Sequence, residues 1–155
     1  MNNEAAGALL RDVARLHGQV QRENVACCGG TTPTQCTLLT ELGRNGPTTL
    51  AELSRRVGLD KSWTSRAVDG LVDEGLLTKA VNPHDRRTIT IALSAMGNVR
   101  YAELNQTLNH LSERMMRHIP IEQQANVANA LQLLLQALEA EVAAGPVGLC
   151  EVQPI

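Results

Sequence analysis

Between residues 48 and 93 the hydrophobic period of this chain changes from helical to β, and few folds accommodate that change in so short a span. Leu50, Leu53 and Val57 recur at helical spacing behind Thr48 or Thr49, either of which can cap a helix N-terminus. Gly58 stands just past the last of them, where left-handed backbone closes a helix, and Asp60 is placed to cap the next one. From Lys61 to Glu74 the apolar face is Thr64, Ala67, Val68, Leu71 and Val72, which leaves Lys61, Ser62, Ser65, Arg66 and Asp69 largely on the other. After Gly75 the spacing becomes that of strands, first over 76–81 and then over 88–93, where Ile89, Ile91 and Leu93 alternate with Thr88, Thr90 and Ala92. The connection Asn82-Pro83-His84-Asp85-Arg86-Arg87-Thr88 reads as an exposed hairpin tip. Helix, glycine turn, helix and hairpin together make a winged helix-turn-helix, and the partner it implies is duplex DNA. The polar N-terminal face of the second helix suits base edges in the major groove. Guanidinium groups on a thin ribbon suit the narrow, negative minor groove. The expected DNA contacts are therefore Lys61, Ser62, Trp63, Ser65, Arg66, Arg86 and Arg87.

A net charge of −2 over 155 residues is unusual for such a partner until it is divided along the chain. Residues 44–90 carry eight Lys/Arg against six Asp/Glu, so basic charge is concentrated in the device itself. No apolar run approaches a membrane span, and Met1-Asn2-Asn3-Glu4 is unlike the start of a signal peptide, so a cytoplasmic location is expected.

The flanks are helical. Leu9, Val13, Leu16 and Val20 form a stripe on a helix over about 4–24, and Val99, Leu104, Leu108, Leu111 and Met115 do so over about 94–118. A break at Ile119-Pro120 precedes a third helix over about 121–143, with Val127, Leu131, Leu134, Leu135, Leu138 and Val142 on one wide face. Amphipathic helices of this length need a partner, and pairing between two subunits is the expectation. Tyr101, Met96, Met115 and Met116 read as core or interface filler. The fold class is mainly α with a small β-wing: a winged helix-turn-helix core at about 31–93 flanked by long dimerisation helices, one domain over 1–144, and a tail over 145–155.

At this point the chain resembles the MarR family of bacterial transcription regulators. The resemblance rests on Pro33-Thr34-Gln35, on Leu53-Ser54-Arg55-Arg56-Val57-Gly58-Leu59-Asp60, and on Leu71-Val72-Asp73-Glu74-Gly75-Leu76-Leu77. Pro83-His84-Asp85-Arg86-Arg87 and Leu93-Ser94-Ala95-Met96-Gly97 complete it, in the family's order. It implies a homodimer on a pseudo-palindromic operator that represses until an inducer arrives. It also implies that Asp85 orients the wing while Arg87 enters the minor groove. Trp63 departs from the small polar residue usual at its position, and Cys36 stands where the family usually has an aromatic side chain. With no Phe, and only Trp63 and Tyr101 as aromatics, an aromatic-lined inducer pocket is poorly supplied.

Cys27-Cys28-Gly29-Gly30, followed by Cys36, is what composition would not foretell; Cys150 lies in the tail. Cytosolic thiols stay reduced, so metal binding, redox chemistry or burial come before a structural disulfide. A loop returning across Gly29-Gly30 can bring Cys27, Cys28 and Cys36 to one point. Three thiolates suit a soft ion, and nothing else in the segment supplies the fourth ligand of tetrahedral zinc. Trivalent arsenic or antimony is the sharpest candidate, with mercury, copper(I) or an organoarsenical close by. A Cys-Cys-Gly segment followed by Gln-Cys also resembles family members associated with metalloid resistance. Two other readings stay open: a reactive-thiol sensor of oxidants, and inert cysteines in a regulator that senses a small organic ligand. No obligatory cofactor is expected.

His17, His110 and His118 form no i, i+4 pair and are expected at the surface or an interface; His84 lies in the wing turn, where it could touch phosphate. Arg55 and Arg56 are placed to meet the DNA backbone, one of them simply exposed. An enzyme is not expected, since there is no Cys-x-x-Cys, Gly-rich nucleotide loop or nucleophile–base pair. A winged helix used only for protein contacts can lack both wing arginines and a basic recognition helix, and this chain has both.

Overall fold

The computed structural model describes residues 3–25, 30–82 and 85–145, with backbone alone at 3, 25, 82 and 85–87. Its elements are α1 (Asn3–Val25), α2 (Pro33–Asn45), β1 (Thr48–Thr49), α3 (Leu50–Val57), α4 (Lys61–Asp73), β2 (Leu77–Asn82), β3 (Asp85–Leu93), α5 (Ala95–Met116) and α6 (Ile121–Ala144). They form two compact units, Met1–Leu111 and Ser112–Ile155. Among the described residues no helix is long and apolar enough to cross a membrane.

The helix starts follow from local chemistry. Thr32 and Gln35 form a reciprocal capping box at α2: the Thr32 hydroxyl accepts from the Gln35 N–H at 3.2 Å, and the Thr32 N–H donates to the Gln35 side chain at 2.9 Å. Thr49 caps α3, and Gly58, at φ 66° and ψ 29°, closes it in the left-handed conformation. Asp60 caps α4 by accepting from the N–H groups of Ser62 and Trp63 at 2.8 and 3.2 Å.

The sheet order is β1-β3-β2, all antiparallel. Two features differ from the sequence reading. Thr48 and Thr49 are expected there only as caps, yet they pair with Ile91 and Thr90, so Thr49 ends a short strand and caps α3 at once. The hairpin strands also run further than 76–81 and 88–93. Asn82 pairs with Asp85, which places Asp85, Arg86 and Arg87 in β3 and not in a seven-residue tip. Ladder hydrogen bonds across the hairpin outweigh the turn preference of those residues.

One core holds this unit together. Leu38 and Leu39 of α2, Leu53 of α3, Val68 and Leu71 of α4, Ile91 of β3 and Leu104 of α5 are all fully buried. Each buried aliphatic side chain contributes about 1.5–3 kcal/mol relative to exposure. The start of α5 is locked to the turn after α4. The Ser94 N–H donates to the Leu76 carbonyl at 3.0 Å, and its hydroxyl donates to the Gly75 carbonyl and accepts from the Gly97 N–H. A Cβ on Gly97 would lie 1.9 Å from the Leu76 carbonyl oxygen, so only glycine permits this approach. Tyr101 packs its ring on Gly43, in keeping with a filler role.

Candidate nucleic-acid interface

The first turns of α4 stand clear of the core. Thr64, Val68 and Leu71 are buried, and Ala67 and Val72 are half-buried, as the spacing predicts. The Thr64 hydroxyl is spent on the Asp60 carbonyl at 2.9 Å. On the outer face Lys61, Ser62, Trp63 and Arg66 are exposed and Ser65 is half-buried, so five of the expected contacts lie on one helical surface. Because Asp60 already occupies the Ser62 and Trp63 N–H groups, these two backbone donors are not open to a phosphate. Those two hydrogen bonds, that from Trp63 first, hold the Asp60 carboxyl below the ordinary carboxylate range.

Trp63 does not serve as core. It is 53% exposed, and the Arg66 guanidinium lies 5.3 Å from its ring centroid in a cation–π pair. Both line a shallow, largely apolar groove of about 510 Å³ against the start of α2, with Thr32, Thr34, Gln35, Ala67 and Gly70. Gln35 donates to Glu74 at 2.8 Å, tying the start of α2 to the end of α4. On the other flank Lys79 of β2 is ion-paired with Asp69 of α4, a link that fixes the wing base to the helix. That pairing was not read from the sequence; an acid and a lysine ten residues apart carry no local signal.

Arg55 and Arg56 converge on Glu52. Arg55 makes a fork of 2.9 and 2.6 Å to the carboxylate; the Arg56 Nε donates to it at 2.7 Å and its Nη1 lies 3.6 Å from Glu41. The Arg55 hydrogen bonds, then those of Arg56, pull the Glu52 pKa from its ordinary 4.5 to about 2. A depressed carboxylate pKa stabilises the fold above the ordinary value, and this contribution fades as pH falls from about 4.5 through about 2. Thermal melts between pH 6 and pH 2 are therefore expected to fall less steeply for Glu52→Gln than for the parent; parallel curves would rule this linkage out.

The wing residues Asp85, Arg86 and Arg87 have their backbone on β3, while their side chains lie outside the described residues, as does His84. Of the expected soft-ion ligands, Cys27 and Cys28 also lie outside, with Cys150. Cys36 is described: it is buried in the first turn of α2 and borders a cavity of about 370 Å³ between α1 and α2, with Gly18, Gln21, Arg22, Thr37, Thr40 and Leu108. Among the described residues no group of three or more His, Cys, Asp or Glu is assembled to hold a metal, the histidines included.

Residues 29–88 match the model of the MarR family. Over 112 residues the chain is 25% identical to the HTH-type transcriptional repressor MdtR of Bacillus subtilis, covering 72% of each protein. Its fold is that of a crystal structure of a mutant MarR from E. coli, with TM-score 0.75 at 21% identity over 83% of this chain and 95% of that one. A mutant E. coli MarR complexed with operator DNA aligns with TM-score 0.68 at 21% identity, over 83% of this chain and 92% of the other.

Proposed function

From a chain that belongs to the MarR family of winged-helix transcriptional regulators, we propose a homodimeric repressor that grips a pseudo-palindromic operator and is released by an inducer sensed near Cys36. The single observation that carries DNA binding is the outer face of α4, where Lys61, Ser62, Ser65, Arg66 and Trp63 project together while the opposite face is buried. Two copies would enter successive major grooves about one duplex turn apart, roughly 34 Å. Arg86 and Arg87 would then follow the flanking minor grooves, with Asp85 orienting the wing. That a MarR of this fold is known with operator DNA, and that MdtR is a repressor, supports the reading.

Dimerisation has its own support. Leu9, Val13 and Leu16 of α1 are about half exposed in the single chain. So are Leu131, Leu135 and Leu138 of α6, with Val142 more open still. Solvated apolar faces of this extent mark interaction surfaces. Gel-shift titration on DNA from the gene's own promoter region, with sedimentation of the protein alone, tests both parts; a monomer that ignores every duplex would end the proposal.

For the inducer, the favoured guest is a trivalent metalloid held by Cys27, Cys28 and Cys36. Arsenous acid would exchange its three hydroxides for the sulfurs of three thiols, whose protons leave with the hydroxides as three waters, with no change of oxidation state. Capture would favour a dimer whose recognition helices no longer match the operator spacing, and the guest's differential affinity for the two states limits the release it can drive. The 370 Å³ cavity beside Cys36, with Arg22 on its wall, favours a second reading, a small organic anion with the cysteines as packing. Cys27→Ser, Cys28→Ser and Cys36→Ser are each expected to abolish release by arsenite in the gel shift. If all three respond like the parent, metalloid sensing is wrong; release by peroxide alone would indicate thiol oxidation, and release by an aromatic acid alone the second reading.

A further inference from the structure

We infer that Trp63 and Arg66 act as one composite reader, selecting a guanine with a 5-methylpyrimidine, normally thymine, at the adjacent base step. The inference rests on the DNA-binding reading above and goes beyond it by naming what the two residues recognise.

Trp63 and Arg66 are separated by one turn of α4, at i and i+3, on its exposed N-terminal half. A guanidinium stacked on indole has one flat face covered, yet the N–H donors on its edge remain in plane and open. Stacking also restricts a side chain that would otherwise lose much freedom on binding. Among bases, the partner for a planar two-donor edge is guanine, through O6 and N7. The guanidinium carbon lies over the indole, 5.3 Å from its centroid, so the ring is offset to one face of the guanidinium plane, on the side where the next base pair follows at a rise of about 3.4 Å. With the guanidinium in the plane of a guanine, the apolar ring therefore reaches the neighbouring step.

What the ring offers there is carbon surface. It is 53% exposed, and its own N–H is a single donor with no acceptor function. The apolar group that the major groove presents is the thymine methyl. The open groove beside the ring, lined by Thr32, Thr34, Gln35, Ala67 and Gly70, leaves the indole face accessible. The Asp60 hydrogen bond to the Trp63 N–H fixes the backbone from which it projects.

The test replaces thymine by deoxyuridine, one position at a time, in the promoter fragment that the protein retains. This deletes the methyl and keeps every hydrogen-bonding group. One position per half-site, next to a guanine, is expected to lose about 4-fold in affinity, and about 15-fold when both half-sites are changed. Trp63→Ala is expected to bind the thymine and uracil duplexes equally, and 7-deazaguanine at the neighbouring position to weaken the parent but not Arg66→Ala. If the parent binds DNA but is indifferent to every thymine-to-uracil change, this inference fails while the DNA-binding reading stands. It fails equally if Trp63→Ala keeps the methyl preference. Failure of the parent to retain any duplex overturns both.

Discussion

Gly97→Ala is expected to destabilise the winged-helix unit by about 3 kcal/mol, the upper end of the range for overpacked sites. The added methyl would sit 1.9 Å from the Leu76 carbonyl oxygen, and backbone cannot swing aside as a side-chain tip can. Relief would require α5 to move away from the turn after α4, breaking the Ser94 hydrogen bonds to Gly75, Leu76 and Gly97. Denaturant unfolding should show the loss as a lower midpoint with little change in slope. Gln106→Ala, on the exposed side of α5, is the control and should stay within about 0.5 kcal/mol of the parent. If Gly97→Ala matched that control, the close approach of α5 to the Leu76 carbonyl would be wrong.

Arg66→Ala combined with Arg87→Ala is expected to cost operator affinity most heavily while leaving the melting curve close to the parent's. A bidentate base contact is worth about 1–3 kcal/mol. Counted twice in a dimer, Arg66 alone accounts for a loss of roughly 30-fold to well over 10⁴-fold. Arg87→Ala alone should weaken binding to all sequences more evenly and flatten the salt dependence, as loss of a minor-groove and phosphate contact does. Fluorescence anisotropy across a salt series separates the two effects. Unchanged affinity of the double variant at physiological salt would refute the docking geometry.

Much of the fold was legible because its determinants lie within a few residues of one another. Thr49, Gly58 and Asp60 bound α3 and α4 by chemistry confined to single turns, and the observed caps follow the sequence reading. The buried face of α4 was readable for the same reason, since helical spacing alone assigns Thr64, Val68 and Leu71 to it. The extent of the wing was less legible. Asn-Pro signals a turn, but where β3 begins depends on its partner strand, which extends the ladder back to Asp85. The candidate site divides in the same way. Sequence put Lys61, Ser62, Ser65 and Arg66 on one surface, yet held no local sign that Asp69 of the same helix would pair with Lys79 of β2.

The sequence by itself determined the order of the elements, the polar face of α4, the resemblance to the MarR family over residues 29–88, and the clustering of three cysteines within ten residues. Only the tertiary structure decided that Thr48 and Thr49 join the sheet, that Lys79 pairs with Asp69, that Gly97 meets the Leu76 carbonyl, and that Cys36 borders a cavity. The first set depends on spacing and capping along a single stretch of backbone, where neighbours in sequence are neighbours in space. The second depends on groups brought together from distant positions, where packing of the shared core selects the partner.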